Sequence, residues 1–165
     1  MYQVGDKIIY GANGVCHIDK IEMRRLEDGS EKFFYHMTSY YQNITIISPA
    51  DNSKVVIRPI LSKQQAQQLI EEIPNLNGQV YQSHVLRDLV DHYESLIKSY
   101  DCRTLAGLAK SIYTKKLQAE SQNKKIGAVD ERFLQKTEDL LFGELAVALE
   151  IPKEKVLDYI SEKLN

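Results

Sequence analysis

Four histidines (His17, His36, His84, His92), two cysteines (Cys16, Cys102) and 23 acidic residues are the side chains of this chain best suited to ligate a metal, shuttle a proton or attack a carbonyl. Their spacing supports none of these chemistries. No histidine stands at zinc-ligand spacing from a cysteine or from another histidine, and His84 and His92 share a helix face only loosely. There is no glycine-rich phosphate loop and no nucleophile elbow, and no carboxylate pair is singled out by its spacing. Ser30, in Gly-Ser-Glu, belongs to a turn. The two cysteines lie far apart in the chain and read as reduced thiols rather than a disulfide. The expectation is a protein without catalytic activity, cofactor or metal, acting as a binding or regulatory module.

Binding chemistry is more visible. The formal charge of −2 gives no general attraction to nucleic acid or to an anionic membrane, so such contacts need a local patch. One segment supplies it. Between Lys98 and Lys125 stand Lys98, Arg103, Lys110, Lys115, Lys116, Lys124 and Lys125 against only Asp101 and Glu120, a net charge of +5. Two readings of this segment carry equal weight: a solvated helix face, or a patch that displaces counterions from phosphates. Tyr100 and Tyr113 fit the apolar stripe and do not decide between them. A second nucleic-acid signal is the helix, short turn and helix rhythm of Glu144 to Ile160, with Ala146, Ile151 and Val156 where such a unit buries small or branched side chains. Its turn has Glu150 where glycine usually sits, and its second helix carries Glu154, Asp158 and Glu162, which phosphates would repel.

The elements that must hold these residues change period near residue 60. Before it the pattern alternates. Val4, Ile8 and Tyr10 interleave with polar positions. Val15, His17 and Asp19 then oppose Cys16, Ile18 and, after a slip, Ile21. Ala-Asn-Gly at 12–14 and Asp28-Gly29 supply turns, and the runs KFFYHMTS, NITIIS and KVVIRPI complete five antiparallel strands. This predicts a small curled sheet or barrel of the Tudor or SH3 type. From Leu61 the pattern is helical. Ser62 is placed to cap the first helix and Asp101 the third, Asp130 is expected to cap the fourth, and Pro152 stands near the start of the last. Between them a helix over residues 83–100 carries Val85, Leu89, His92 or Tyr93, Leu96 and Tyr100 on one side, with Leu86, Val90 and Ile97 adjoining. The fold class is therefore α+β: a β module over 1–60 and an all-α domain of about five helices over 61–165. No apolar run approaches the roughly 20 residues of a membrane span, and the start reads as strand rather than signal peptide, so a cytoplasmic location with no membrane contact is expected.

Val4-Gly5-Asp6, Tyr10, Gly14 and the run from Ile18 to Glu22 resemble the N-terminal RNA-polymerase-interacting domain of the CarD/CdnL family of bacterial transcription regulators, shared with transcription-repair coupling factors. LLFGELAVALE, residues 140–150, is similar to a late segment of that family. The resemblance implies a Tudor-like sheet that pairs edge to edge with the RNA polymerase β subunit, with Arg24 at a basic polymerase-facing position. It also implies a helical domain at the upstream edge of the transcription bubble, where the family places a Trp as a minor-groove wedge. This chain has no Trp. Leu86 stands at the best match for the wedge, followed by Arg87 and Asp88. Gly11 replaces the usual Pro, Asn13 stands where His is common, and Ile47 stands where an Arg is often found.

The expected polymerase-binding residues are Arg24, Ile44, Thr45, Ile46 and Ile47, alternation sending about half of the isoleucine run into the core. The expected DNA-binding residues are Leu86, Arg87, Lys110, Lys115, Lys124 and Lys125. The function expected is modulation of open-complex stability through largely sequence-independent promoter contacts. Its rivals are a polymerase- or protein-binding adaptor without a wedge and a helix-turn-helix repressor. Either a monomer or a domain-swapped dimer is expected, since an exposed sheet edge permits exchange.

Overall fold

The computed structural model describes residues 1–165, which divide into two compact units, Met1–Ile60 and Leu61–Asn165. In the first, the alternating runs form β1 (Lys7–Tyr10), β2 (Val15–Arg25), β3 (Glu31–Ser39), β4 (Thr45–Pro49) and β5 (Ile57–Pro59). All neighbours pair antiparallel in the order β4-β3-β2-β1-β5. The outermost strands, β4 and β5, do not pair with each other, so the expected barrel is an open five-stranded sheet instead. Two short edge strands leave too few backbone partners to close it.

The slip read between Ile18 and Ile21 is a β-bulge. Ile18 faces Met37 while Lys20 faces His36, which leaves Asp19 unopposed. An extra residue in one strand reverses the in-and-out order beyond it. This is how Ile18 and Ile21 both reach the core side. Between β1 and β2 the chain makes a 3-10 turn at Gly11–Asn13, with Gly11 at φ +46° and so close to Val55 that a Cβ would come within 3.0 Å of its Cγ1. Only glycine meets both conditions easily. The core of this unit is Ile8, Tyr10, Cys16, Ile18, Tyr35 and Met37, with the Tyr10 hydroxyl donating to Ser48 Oγ at 2.9 Å. Burial pushes the Cys16 thiol up to about 11, so it behaves as a packed, unreactive thiol.

The second unit comprises α1 (Lys63–Glu72), α2 (Leu86–Ile97), α3 (Cys102–Ser121), α4 (Ala128–Leu149) and α5 (Val156–Leu164). Ser62 caps α1 in a reciprocal box with Gln65, and Asp101 caps α3 by accepting from the Thr104 N–H at 3.0 Å. Helix α4 packs against the other four. Its last turns, Gly143 to Leu149, are buried on every side, as a central helix requires. Within them Glu144 is 1 % exposed and accepts from the Leu61 N–H at 3.0 Å, fastening the first residue of the unit to its central helix. The helix stops at Glu150, which takes the left-handed conformation at φ 59° while the Ile151 N–H returns to the Ala146 carbonyl. Asp130 is not the cap of α4. The helix starts earlier, from Gly127, and the Asp130 carboxylate is buried within the unit. No helix is long and apolar enough to cross a membrane.

Candidate functional site

Arg24 lies near the end of β2, on the sheet face opposite the core. Its Nε donates to Glu22 Oε1 at 2.8 Å and its guanidinium lies 4.7 Å from the centre of the Phe34 ring. Glu22 Oε2 is 2.7 Å from His36 Nε2, so one carboxylate joins Arg24 of β2 to His36 of β3. Arg24, and after it His36, hold the Glu22 carboxyl below the usual carboxylate range. His36 is in turn the cross-strand partner of Ile47, and Phe34 that of Pro49. The same face continues through Thr38, which donates to Asp19 Oδ2 at 2.5 Å and stands opposite Thr45. The register thus brings Arg24, Thr45 and Ile47 onto one face and adds Glu22, Phe34 and His36, which sequence reading did not assign to it. These three stand at alternate positions beside Arg24 and Ile47, but only the strand register shows that they meet.

Within β4 the run Ile44–Ile47 splits by alternation, while Ile44, which precedes the strand, does not follow it. Ile46 packs on the core, whereas Ile44 and Ile47 are 47% and 50% exposed. The backbone splits in the same way. Ser39 N–H bonds to the Ile44 carbonyl and Ala50 N–H to the Phe33 carbonyl, so the even-numbered residues of this run face β3. In an antiparallel ladder the alternate residues then turn their N–H and C=O outward. Thr45 and Ile47 therefore present unpaired backbone donors and acceptors along the free edge of β4. At the opposite edge β5 is three residues long and ends in Pro59, which has no N–H to offer. β4 also ends in a proline, Pro49, but it is the longer of the two edges.

In the helical unit Leu86 is the first residue of α2 and is 64% exposed, next to Val85 at 54%. Both lie outside the apolar stripe expected to hold them, which is instead Leu89, Tyr93 and Ile97. Arg87 and Asp88 are exposed beside them. The basic segment is less available than its charge implies. Lys110 Nζ donates to the carbonyls of Ile73, Pro74 and Leu76, each at 2.9 Å, which uses all three of its N–H groups. Lys115 lies 2.9 Å from Asp130 Oδ2, donates to the Tyr81 carbonyl at 3.2 Å, and its side chain is only 16% exposed. Arg103 pairs with Glu72. These residues serve the unit itself, because carbonyls and carboxylates from distant segments fold onto α3. In this structure the ammonium groups of Lys110 and Lys115 are directed at the unit's own carbonyls and carboxylate.

Lys124 and Lys125 remain exposed in the α3–α4 loop, where they line a cleft of about 270 Å³ with Gln82, Gln118, Gln122, Ile126, the half-buried Lys115 and the buried Asp130. The helix-turn-helix candidate buries Ala146 and Val156, half-buries Ile151, and leaves Glu154, Asp158 and Glu162 exposed on its second half. Such a face is acidic where a reader of DNA is basic.

The family model described as the CarD-like/TRCF RID domain matches residues 2–61. The chain carries a CarD-like RID domain. The match coincides with the sheet unit and stops at the first residue of the helical unit. It marks the chain as an RNA-polymerase-interacting, transcription-related protein.

Proposed function

We propose that this CarD-like protein docks on the β subunit of RNA polymerase by adding the edge of β4 to a strand of the polymerase, and that it has no catalytic activity of its own. The observation that carries this reading is the asymmetry of the two sheet edges. β5 is only three residues long, while the five-residue β4, which also ends in a proline, offers the outward backbone groups of Thr45 and Ile47 beside two exposed isoleucines. Main-chain bonds supply affinity in strand addition, and flanking side chains supply specificity. Ile47 and Phe34 supply apolar contact here, and Arg24, steadied by Glu22 and the Phe34 ring, receives a partner carboxylate. Arg24→Glu reverses that charge and sets two carboxylates side by side. Binding to purified host RNA polymerase should fall by at least about tenfold, the scale on which a truncated or reversed buried charge pair acts. Unchanged binding removes Arg24 from the interface.

The helical unit then works at the upstream edge of the promoter bubble, in the soluble cell interior, with Leu86 as an apolar wedge and Arg87, Lys124 and Lys125 on phosphates. Support for the wedge is the pair Val85 and Leu86, exposed at a helix N-terminus where nothing in their own unit covers them. Leu86→Ala should shorten the lifetime of promoter open complexes several-fold and leave polymerase binding unchanged; an unaltered lifetime argues against the wedge. A second reading, an adaptor that binds polymerase without a DNA function, draws support from the internal use of Lys110, Lys115 and Arg103. Binding to promoter DNA that is weak and insensitive to salt selects the adaptor.

A further inference from the structure

The segment from Asn77 to Val85 has neither helix nor strand, yet it leads directly into the exposed tip at Leu86. Its course is fixed by side chains from α2 and α3. Lys110 caps the turn that ends α1, holding the carbonyls of Ile73, Pro74 and Leu76. A cation is favoured at such a helix end because its last carbonyls carry partial negative charge. The Lys110 stem also lies against Gly78 so closely that a Cβ there would come within 3.0 Å of Lys110 Cγ. Further along, Lys115 holds the Tyr81 carbonyl and is itself anchored on Asp130, which accepts from the Tyr93 hydroxyl of α2 at 2.6 Å. The Tyr81 ring stacks on His92 of α2, with centroids 3.8 Å apart and planes 14° from parallel. Ser83 Oγ finally accepts from the Val85 N–H at 3.1 Å. Two lysines of one helix thus grip both ends of the stretch from Leu76 to Tyr81, four residues ahead of Val85.

We propose that Lys110 and Lys115 are positioning residues for the apolar tip Val85–Leu86, fastening the segment that carries it to α3 rather than touching DNA themselves. This rests on the reading of the tip as a bubble-edge contact, but the fastening has its own readout. A lysine on a phosphate and a lysine on a loop also differ in a measurable way. Losing the first lowers the salt slope of DNA binding by about one, and losing the second leaves the slope alone while the tip loosens.

The test uses the full chain in three forms: wild type, Lys110→Met, and Lys115→Met with Asp130→Asn. Methionine keeps most of the stem, and the paired asparagine avoids stranding a buried carboxylate if Lys115→Met alone unfolds. Amide hydrogen exchange is followed over residues 77–88, with α4 as the internal reference. Open-complex lifetime and the salt slope of DNA binding are measured alongside, each also in a Leu86→Ala background. Exchange over 77–88 should rise by about tenfold in each variant with α4 unchanged. The lifetime should fall several-fold at an unchanged salt slope, with no further fall where Leu86 is already alanine. Unaltered exchange over 77–88, or a salt slope lower by about one, overturns the proposal. If exchange rises but neither the lysine variants nor Leu86→Ala alters the lifetime, the fastening stands and the bubble-edge reading of the tip falls.

Discussion

Lys110 shows why a single residue is the hardest scale to read from sequence. Its place in a segment of net charge +5 speaks for an external anion, while its three carbonyl partners lie 34 to 37 residues away in the chain. A count of local charge cannot see them. The same holds for Asp130, whose position before a helical pattern reads as a cap although the fold recruits it to Lys115 and Tyr93. Caps that act within one turn, Ser62 and Asp101, are legible because every atom involved is local. Glu144 belongs with the long-range group. It sits inside a run that otherwise reads as pure core, and its partner, the Leu61 N–H, is 83 residues away. Glu144→Ala leaves that donor unmet and opens a cavity, which should cost about 2–4 kcal/mol. Urea denaturation of the full chain measures it, and a loss below about 0.5 kcal/mol would show that Glu144 does not hold the start of the helical unit.

At the scale of elements, the strands and helices were legible because their periods differ, and even the bulge at Asp19 left a trace as a break in alternation. Barrel closure was not legible, since it depends on whether two short edge strands meet across the sheet, which no pattern within either strand encodes. The N-terminal limit of α2 was also misplaced. Val85 and Leu86 continue the apolar pattern, yet they stand outside the stripe and are exposed. Within α2, His92 gives the helical unit a pH response. Burial lowers its pKa from the ordinary 6.5, because the imidazolium is poorly solvated beneath Tyr81. A folded-state value below the unfolded one means that the unfolded chain binds the proton more readily. The stability His92 contributes is therefore complete above 6.5 and declines as pH falls from there toward the lowered folded value. Thermal melts at about pH 7.5 and about pH 5.5 should show the wild type losing more melting temperature than His92→Phe, which keeps the stack without the charge. Equal losses would place the acid sensitivity elsewhere.

For the whole molecule, the proposed function assigns different parts to the two units. The sheet, matched as a CarD-like/TRCF RID domain, has its longer free edge at β4, where the proposed docking takes place, and the helical unit presents an apolar tip and two exposed lysines. Polymerase binding and bubble lifetime should therefore respond to separate sets of substitutions. The resemblance carried by Val4-Gly5-Asp6, Tyr10 and Gly14 made the CarD-like/TRCF RID domain readable from the chain alone. The part proposed for the helical unit rests on which cations are left over after folding, which only the packed helices decide. The most direct measurement is the affinity of the full chain for purified host RNA polymerase, compared between wild type and Ile47→Pro. Proline at position 47 deletes one outward N–H from the free edge of β4 and no bond to β3, so the sheet should stay folded, as circular dichroism would verify. Binding by the wild type, weakened about tenfold or more in Ile47→Pro, is the result expected from strand addition. Equal binding by the two proteins, or none by the wild type, would contradict docking through the edge of β4.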